Sequence, residues 1–273
     1  MEAPTTGSML LASLLLKLGG YGFLRFSMTF LLEASDAFRP YVAACALAGV
    51  IYGSLSTLRQ IDLKRIIAYS SVSHMNLVVL GLFSLSARGV DGAIYLMVAH
   101  GVVSAALFFC VGVIYDRTHS RLLRYYGGLV TVMPLFTSAF FIFNLANMSF
   151  PGTPNFLGEL LLFLGISEYS VFVLFLSTPG IVLAAAFSVF LFARACYGTL
   201  KTKYVEEFSD TNRRELSIVL VLGVMMLLLG LCANSVLEFV RLVATTVEPI
   251  ASGSNSPVDK TIAVSETTNS TNG

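Results

Sequence analysis

The chain has 273 residues, of which 56% are hydrophobic and 12% charged, with a formal net charge of +1 and a mean hydropathy of +0.80. A soluble domain of this size cannot conceal so much apolar surface, so the expected fold class is all-α, a polytopic transmembrane helical bundle. Near-neutral charge without a basic run excludes a nucleic-acid surface.

A bilayer core of about 30 Å needs about 20 apolar residues per helix, and the apolar runs divide into about seven spans, at roughly 8–30, 40–58, 65–86, 92–115, 131–165, 171–198 and 217–240. MEAPTTGS, ahead of the first, lacks the features of a signal or transit peptide, so no cleavable targeting segment is expected. In the first span Lys17 is followed by Gly19, Gly20 and Gly22, which either bulge the helix beside the lysine or allow close packing. The fifth is too long for one plain crossing and contains Pro151-Gly152-Thr153-Pro154, so a broken helix is expected there. Such breaks are tolerated at membrane depth only in the protein interior or beside a water-filled cavity. Thr178-Pro179-Gly180 in the sixth span is expected to kink it, in a structural role. From about residue 250 the chain turns rich in Ser, Thr and Asn, reading as a disordered tail outside the membrane.

Cys45, Cys110, Cys196 and Cys232 show no CxxC spacing and read as small buried hydrophobes, not a disulfide frame or a metal site. With seven spans the termini lie on opposite sides. Eleven basic residues, among them Arg59, Arg117, Arg194 and Arg213, fall on the N-terminal side, against Arg25, Arg39, Arg88, Arg241 and Lys260 on the other. This imbalance places the N-terminus in the cytoplasm-like compartment.

Four ionisable residues stand well inside apolar sequence: Lys17, His74, His100 and Glu159. A charge at a helix centre costs about 2.5–3.5 kcal/mol even on insertion-based scales, so such residues face the bundle interior and line ion or proton pathways. Histidine titrates near neutral pH, and together the four suit a hydrated proton relay. Each has a structural alternative. Lys17 is about nine residues into its span and within snorkelling reach of the interface; His74 follows Ser70, Ser71 and Ser73 and suits a hydrogen bond between helices; His100 adjoins Gly101 at a close helix approach. Glu159 has no interface nearby. HExxH, a phosphate loop, a dinucleotide fingerprint and a nucleophile elbow are all missing, so no cofactor or metal is expected on this chain, nor redox chemistry by it.

Five blocks, Glu2 to Phe26, Asp62 to Asn76 (DLKRIIAYSSVSHMN), Met97 to Phe109, Tyr115 to Leu129 and Asn144 to Leu160 (NLANMSFPGTPNFLGEL), closely resemble, in order, the antiporter-like subunits of respiratory complex I. The resemblance covers roughly residues 2–240. It implies a fourteen-helix fold of two inverted five-helix repeats, of which this chain carries the C-terminal half. Residues 1–30 would be the last helix of the first repeat, 31–200 the second repeat, 201–249 the final helix and 250–273 a polar tail. By the same resemblance Lys17 matches the lysine of helix eight, His74 and His100 the histidines of helices ten and eleven, and Glu159 the carboxylate of broken helix twelve. In that family these residues form a buried polar axis ending in an exchange site at the carboxylate.

The implied function is proton translocation across the mitochondrial inner membrane, with the N-terminus in the matrix and the C-terminus in the intermembrane space. NADH, FMN, iron–sulfur clusters and ubiquinone would be held elsewhere in the complex. Expected partners are a separate chain supplying the first seven helices, neighbouring membrane-arm subunits and lipids, with a truncated chain as the competing explanation for the missing half. A cation/proton antiporter subunit of the same superfamily and a non-pumping scaffold subunit remain alternatives.

Overall fold

A computed structural model describes residues 4–199 and 209–244; the polar tail, Lys201, Lys203 and Lys260 lie outside them. Nine helical segments carry the fold: α1 (Thr5–Phe30), α2 (Leu32–Arg59), α3 (Leu63–Leu82), α4 (Ala87–Thr118), α5 (Pro134–Asn147), α6 (Pro154–Tyr169), α7 (Val171–Cys196), α8 (Arg213–Leu231) and α9 (Ala233–Ala244). Short turns at Leu123–Tyr125 and Leu129–Val132 join α4 to α5. Helix starts follow local chemistry. Asp62 accepts from the Lys64 amide and Ser86 from the Gly89 amide, Pro134 and Pro154 occupy first-turn positions, and Asn212 forms a capping box with Glu215.

Five helices, α1, α2, α4, α7 and α8, are individually long and apolar enough to cross a membrane. α3 has 20 residues but opens with Lys64 and Arg65, and α5 and α6, of 14 and 16 residues, are two halves of one crossing. Their packing gives seven alternating passes. α1 runs antiparallel to α4, with Thr5 against Gly112 and Ser13 against Gly101. The Leu63 amide donates to Arg121 O, so α3 starts where α4 ends. α5 starts at that same end, beside Asp210, and α6 finishes at the other, where Arg88 pairs with Glu168 at 3.5 Å. Among the described residues nine basic side chains thus lie at the end where α1 begins, and Arg25, Arg39, Arg88 and Arg241 toward the opposite end.

α4 is the central post. At 1.5 Å per residue its 32 residues span about 48 Å, and 83% of its most apolar window is buried, against 6% for α8. α6 lies against it along small residues. A Cβ at Gly158 would stand 2.9 Å from Leu96 Cβ, one at Gly92 would meet the Leu162 amide nitrogen at 2.7 Å, and one at Gly165 would collide with the backbone of Gly89. Close backbone approach of this kind is how membrane helices gain packing without a hydrophobic driving force between them.

The apolar interior falls into two large clusters. One gathers Leu63, Ile67, Val103, Leu107 and Phe136 toward the basic end; the other gathers Leu47, Leu77, Leu80, Val90 and Leu162 toward the far end. Between them lies a buried polar layer containing Ser70, His74, His100, Ser104, Asn144, Asn155 and Glu159.

Several boundaries differ from those expected. α2 begins at Leu32 rather than near 40, with Pro40 inside it, because Glu33, Asp36 and Arg39 occupy its exposed first turns; Arg39 still finds Ser84 O, Asp36 and the Tyr169 ring. The last expected span divides at Cys232 into α8 and α9, where Gly230 abuts the carbonyl of Gly152 in the break between α5 and α6. That break runs from Met148 to Thr153, with Ser149 at φ 58 and Gly152 at φ 94, the latter a conformation suited to glycine. In α1, π-helical turns at Leu11–Leu15 and Phe23–Ser27 flank the glycines, while Gly20 packs on Met97 and Gly19 and Gly22 face open space.

Candidate functional site

The structure brings the four ionisable residues together in an order different from their order in the chain. The Lys17 ammonium donates to Ala12 O, within the π-helical turn before it, and lies 3.1 Å from His100 Nδ1. The His100 and His74 rings face one another at 5.3 Å between centroids and 49° between planes. His74 Nδ1 lies 3.0 Å from Glu159 Oε1. The sequence of contacts is therefore Lys17, His100, His74, Glu159, running from α1 through α4 and α3 to α6. Lys17 is directed inward, to His100, not toward the interface.

Burial is nearly complete for three of the four, with His100 0%, His74 4% and Glu159 5% exposed, while Lys17 is half-buried. Bulk water therefore screens the three buried groups little, and their electrostatic interactions with one another are correspondingly strong. Glu159 as a carboxylate can only accept, so His74 donates through Nδ1–H; the Lys17 ammonium can only donate, so His100 accepts at Nδ1 and carries its proton on Nε2 when neutral. Nε2 of both histidines is buried without a hydrogen bond, leaving one nitrogen on each ring for a further exchange.

Two openings adjoin the line. A groove of about 660 Å³ between α1 and α4, lined by Ser13, Leu14, Lys17, Tyr21, Met97 and Gly101 among others, leads in to Lys17. A cavity of about 20 Å³ touches His74 and Glu159 together with Ser73, Ser177 and Gly180; a space of about 10–15 Å³ suffices for one water. Thr178-Pro179, expected to act only as a kink, thus stands between two residues that wall the carboxylate's cavity.

Sequence reasoning did not single out the neutral groups around the break. Asn144, Asn147, Asn155 and Ser188 are all buried, Asn147 donates to Ser188 Oγ at 3.4 Å, and Asn155 is fully enclosed one turn before Glu159. The signal available was the density of asparagine within NLANMSFPGTPN, since amides are costly at membrane depth. Among the described residues no group of three or more His, Cys, Asp or Glu is placed to hold a metal ion.

A seven-pass bundle with a broken helix and a buried row of titratable groups defines a membrane protein of the antiporter-like class. The family described as "NADH:quinone oxidoreductase/Mrp antiporter, TM" matches residues 1–188, and the chain belongs to it. It is similar to NADH-ubiquinone oxidoreductase chain 4 of Chondrus crispus, 49% identical over 237 residues, covering 87% of this chain and 48% of that relative. The protein of the same name from Triticum aestivum is 54% identical over 220 residues, covering 81% and 44%. The chain thus spans about half the length of the curated relatives it matches. Among solved structures it resembles a chain of respiratory complex I from Thermus thermophilus, with a TM-score of 0.79 and 26% identity over 86% of this chain and 50% of that one. A chain of an archaeal membrane-bound sulfane sulfur reductase shares the fold at a TM-score of 0.78 and 19% identity, covering 91% and 51%.

Proposed function

We propose that this chain provides the second half of a proton-translocating, antiporter-like subunit of respiratory complex I, and that Lys17, His100, His74 and Glu159 form its proton path. The observation that carries this reading is the row of four titratable side chains, three buried and Lys17 half-buried, linking a lateral groove to a small cavity that touches Glu159. Similarity to chain 4 of complex I over most of this chain supports the assignment to that complex. The segregation of basic residues supports a matrix-side N-terminus in the inner mitochondrial membrane.

A proton reaching Lys17 makes it a donor to His100. Protonation of His100 there allows loss of the Nε2 proton toward His74, and a doubly protonated His74 passes its Nδ1 proton to Glu159. Among the described residues the opposite charge on this line is Glu159, in contact with His74, so the row ends where a proton's charge is compensated. The groove beside Lys17, with Leu10, Leu11, Leu14, Leu15 and Leu18 exposed along α1, suits the first-half helices of such a subunit, which would bring the next polar group to the lysine. In this reading the chain performs no redox step, and NADH oxidation and ubiquinone reduction belong to other subunits of the complex.

The test is Glu159→Gln in the intact complex reconstituted into vesicles, with protons moved per NADH oxidised as the readout. The amide keeps the shape and removes the exchangeable proton, so stoichiometry should fall. An assembled variant with undiminished stoichiometry would overturn the assignment.

A further inference from the structure

Asn155 lies in the first turn of α6, fully buried, with neither Oδ1 nor Nδ2 hydrogen-bonded. An amide in this condition is destabilising, and a leucine of similar size would remove the penalty. Its position relates it to Glu159. Four residues apart on one helix, the two share a face, and a helical side chain leans back over the preceding turn. A second rotamer of Glu159, leaning back over that turn, would carry its carboxyl from His74 toward the Asn155 amide.

The two partners select different protonation states. The carboxylate is an acceptor only and is held by the Nδ1–H of a charged His74. The protonated carboxyl has one donor and one acceptor, matching the amide group for group: its O–H donates to Asn155 Oδ1 while its carbonyl oxygen accepts from Nδ2–H. Building on the proton path proposed above, we infer that Asn155 is a positioning residue, a second station that holds the protonated Glu159 carboxyl away from His74. In the exchange the Nδ1 proton of doubly protonated His74 moves to Glu159 Oε1, leaving both groups neutral; His74, then protonated on Nε2, shifts that proton to Nδ1 by tautomer exchange before the next one arrives from His100. The carboxyl swings to Asn155, releases its proton to water at the helix break, and returns as carboxylate when His74 is next charged. Separation from His74 while protonated prevents the proton from returning.

The experiment compares Asn155→Leu, Asn155→Gln and Glu159→Gln in the intact complex in vesicles. Asn155→Leu should assemble and oxidise NADH with uncoupler present, yet lose proton stoichiometry comparably to Glu159→Gln and shift the pH profile of coupled turnover; Asn155→Gln, which keeps an amide, should recover part of both. If Asn155→Leu fails to assemble, Asn155→Ala, which adds no bulk, is read by the same two measurements. Wild-type stoichiometry and pH profile in the assembled Leu or Ala variant, with pumping lost in Glu159→Gln, would overturn the role of Asn155 and leave the proton path standing. Normal pumping in Glu159→Gln would instead remove the path on which this inference rests.

Discussion

Gly92→Ala tests whether close packing of α6 on α4 sets the geometry of the proposed proton path. A Cβ there would lie 2.7 Å from the Leu162 amide nitrogen and 2.8 Å from Leu161 Cβ, whereas unstrained heavy-atom contacts need about 3.5–4.0 Å. These are backbone and Cβ atoms, so no side-chain rotation relieves the overlap and α6 must shift by about 1 Å. Glu159, three residues before Leu162, moves with it, and its 3.0 Å contact with His74 has little room before it ceases to be a hydrogen bond. Overpacking of this kind costs about 1–3 kcal/mol, and misplacing a reacting group by about 1 Å can slow transfer on the order of 10²-fold. The assay pairs the thermal midpoint of the purified complex with protons per NADH in vesicles, using Gly19→Ala as control because a Cβ there meets nothing within 4 Å. Both quantities should fall in Gly92→Ala and hold in Gly19→Ala; an unchanged midpoint and stoichiometry in Gly92→Ala would refute the packing argument.

Two further outcomes concern the basic end of the bundle. Arg117 pairs with Glu215 at 2.7 Å and donates to the carbonyls of Ser209 and Asp210, tying α4 to the start of α8. Arg117→Met should cost roughly 1.5–3 kcal/mol, seen as a lower thermal midpoint that adding Glu215→Met does not lower by the full amount again. The Asp210 carboxylate accepts from the Leu135 and Phe136 amides at 3.2 and 3.3 Å, capping α5 from a distant segment. Asp210→Ala should cost about 1 kcal/mol, visible as faster hydrogen exchange in the first turn of α5 with α4 unaffected.

The four titratable residues were legible because each interrupts a run too apolar to hold a charge without a reason, and the helix break because two prolines stand inside one crossing. Their order was not legible. His74 precedes His100 in the chain, yet His100 meets Lys17 and His74 meets Glu159, an arrangement set by α4 lying between α1 and α6. The start of α2 was hidden because Glu33, Asp36 and Arg39 resemble a polar loop, although on the first turns of a helix they reach the interface. Asn155 escaped notice because a neutral amide at a helix start also reads as an ordinary turn residue; only its complete burial without a partner marks it. Ser177 and Gly180 could not be linked to Glu159 from spacing, since α7 reaches the cavity only through the packed fold.

Most directly at issue is whether Lys17 and Glu159, at opposite ends of the row, serve one path. Protons per NADH measured in Lys17→Met, Glu159→Gln and the double variant answer this, because groups acting in series show strongly non-additive losses. Either single change should already reduce stoichiometry to the level of the double variant, while losses that add, or a Lys17→Met complex that pumps normally, would contradict a single path from α1 to α6.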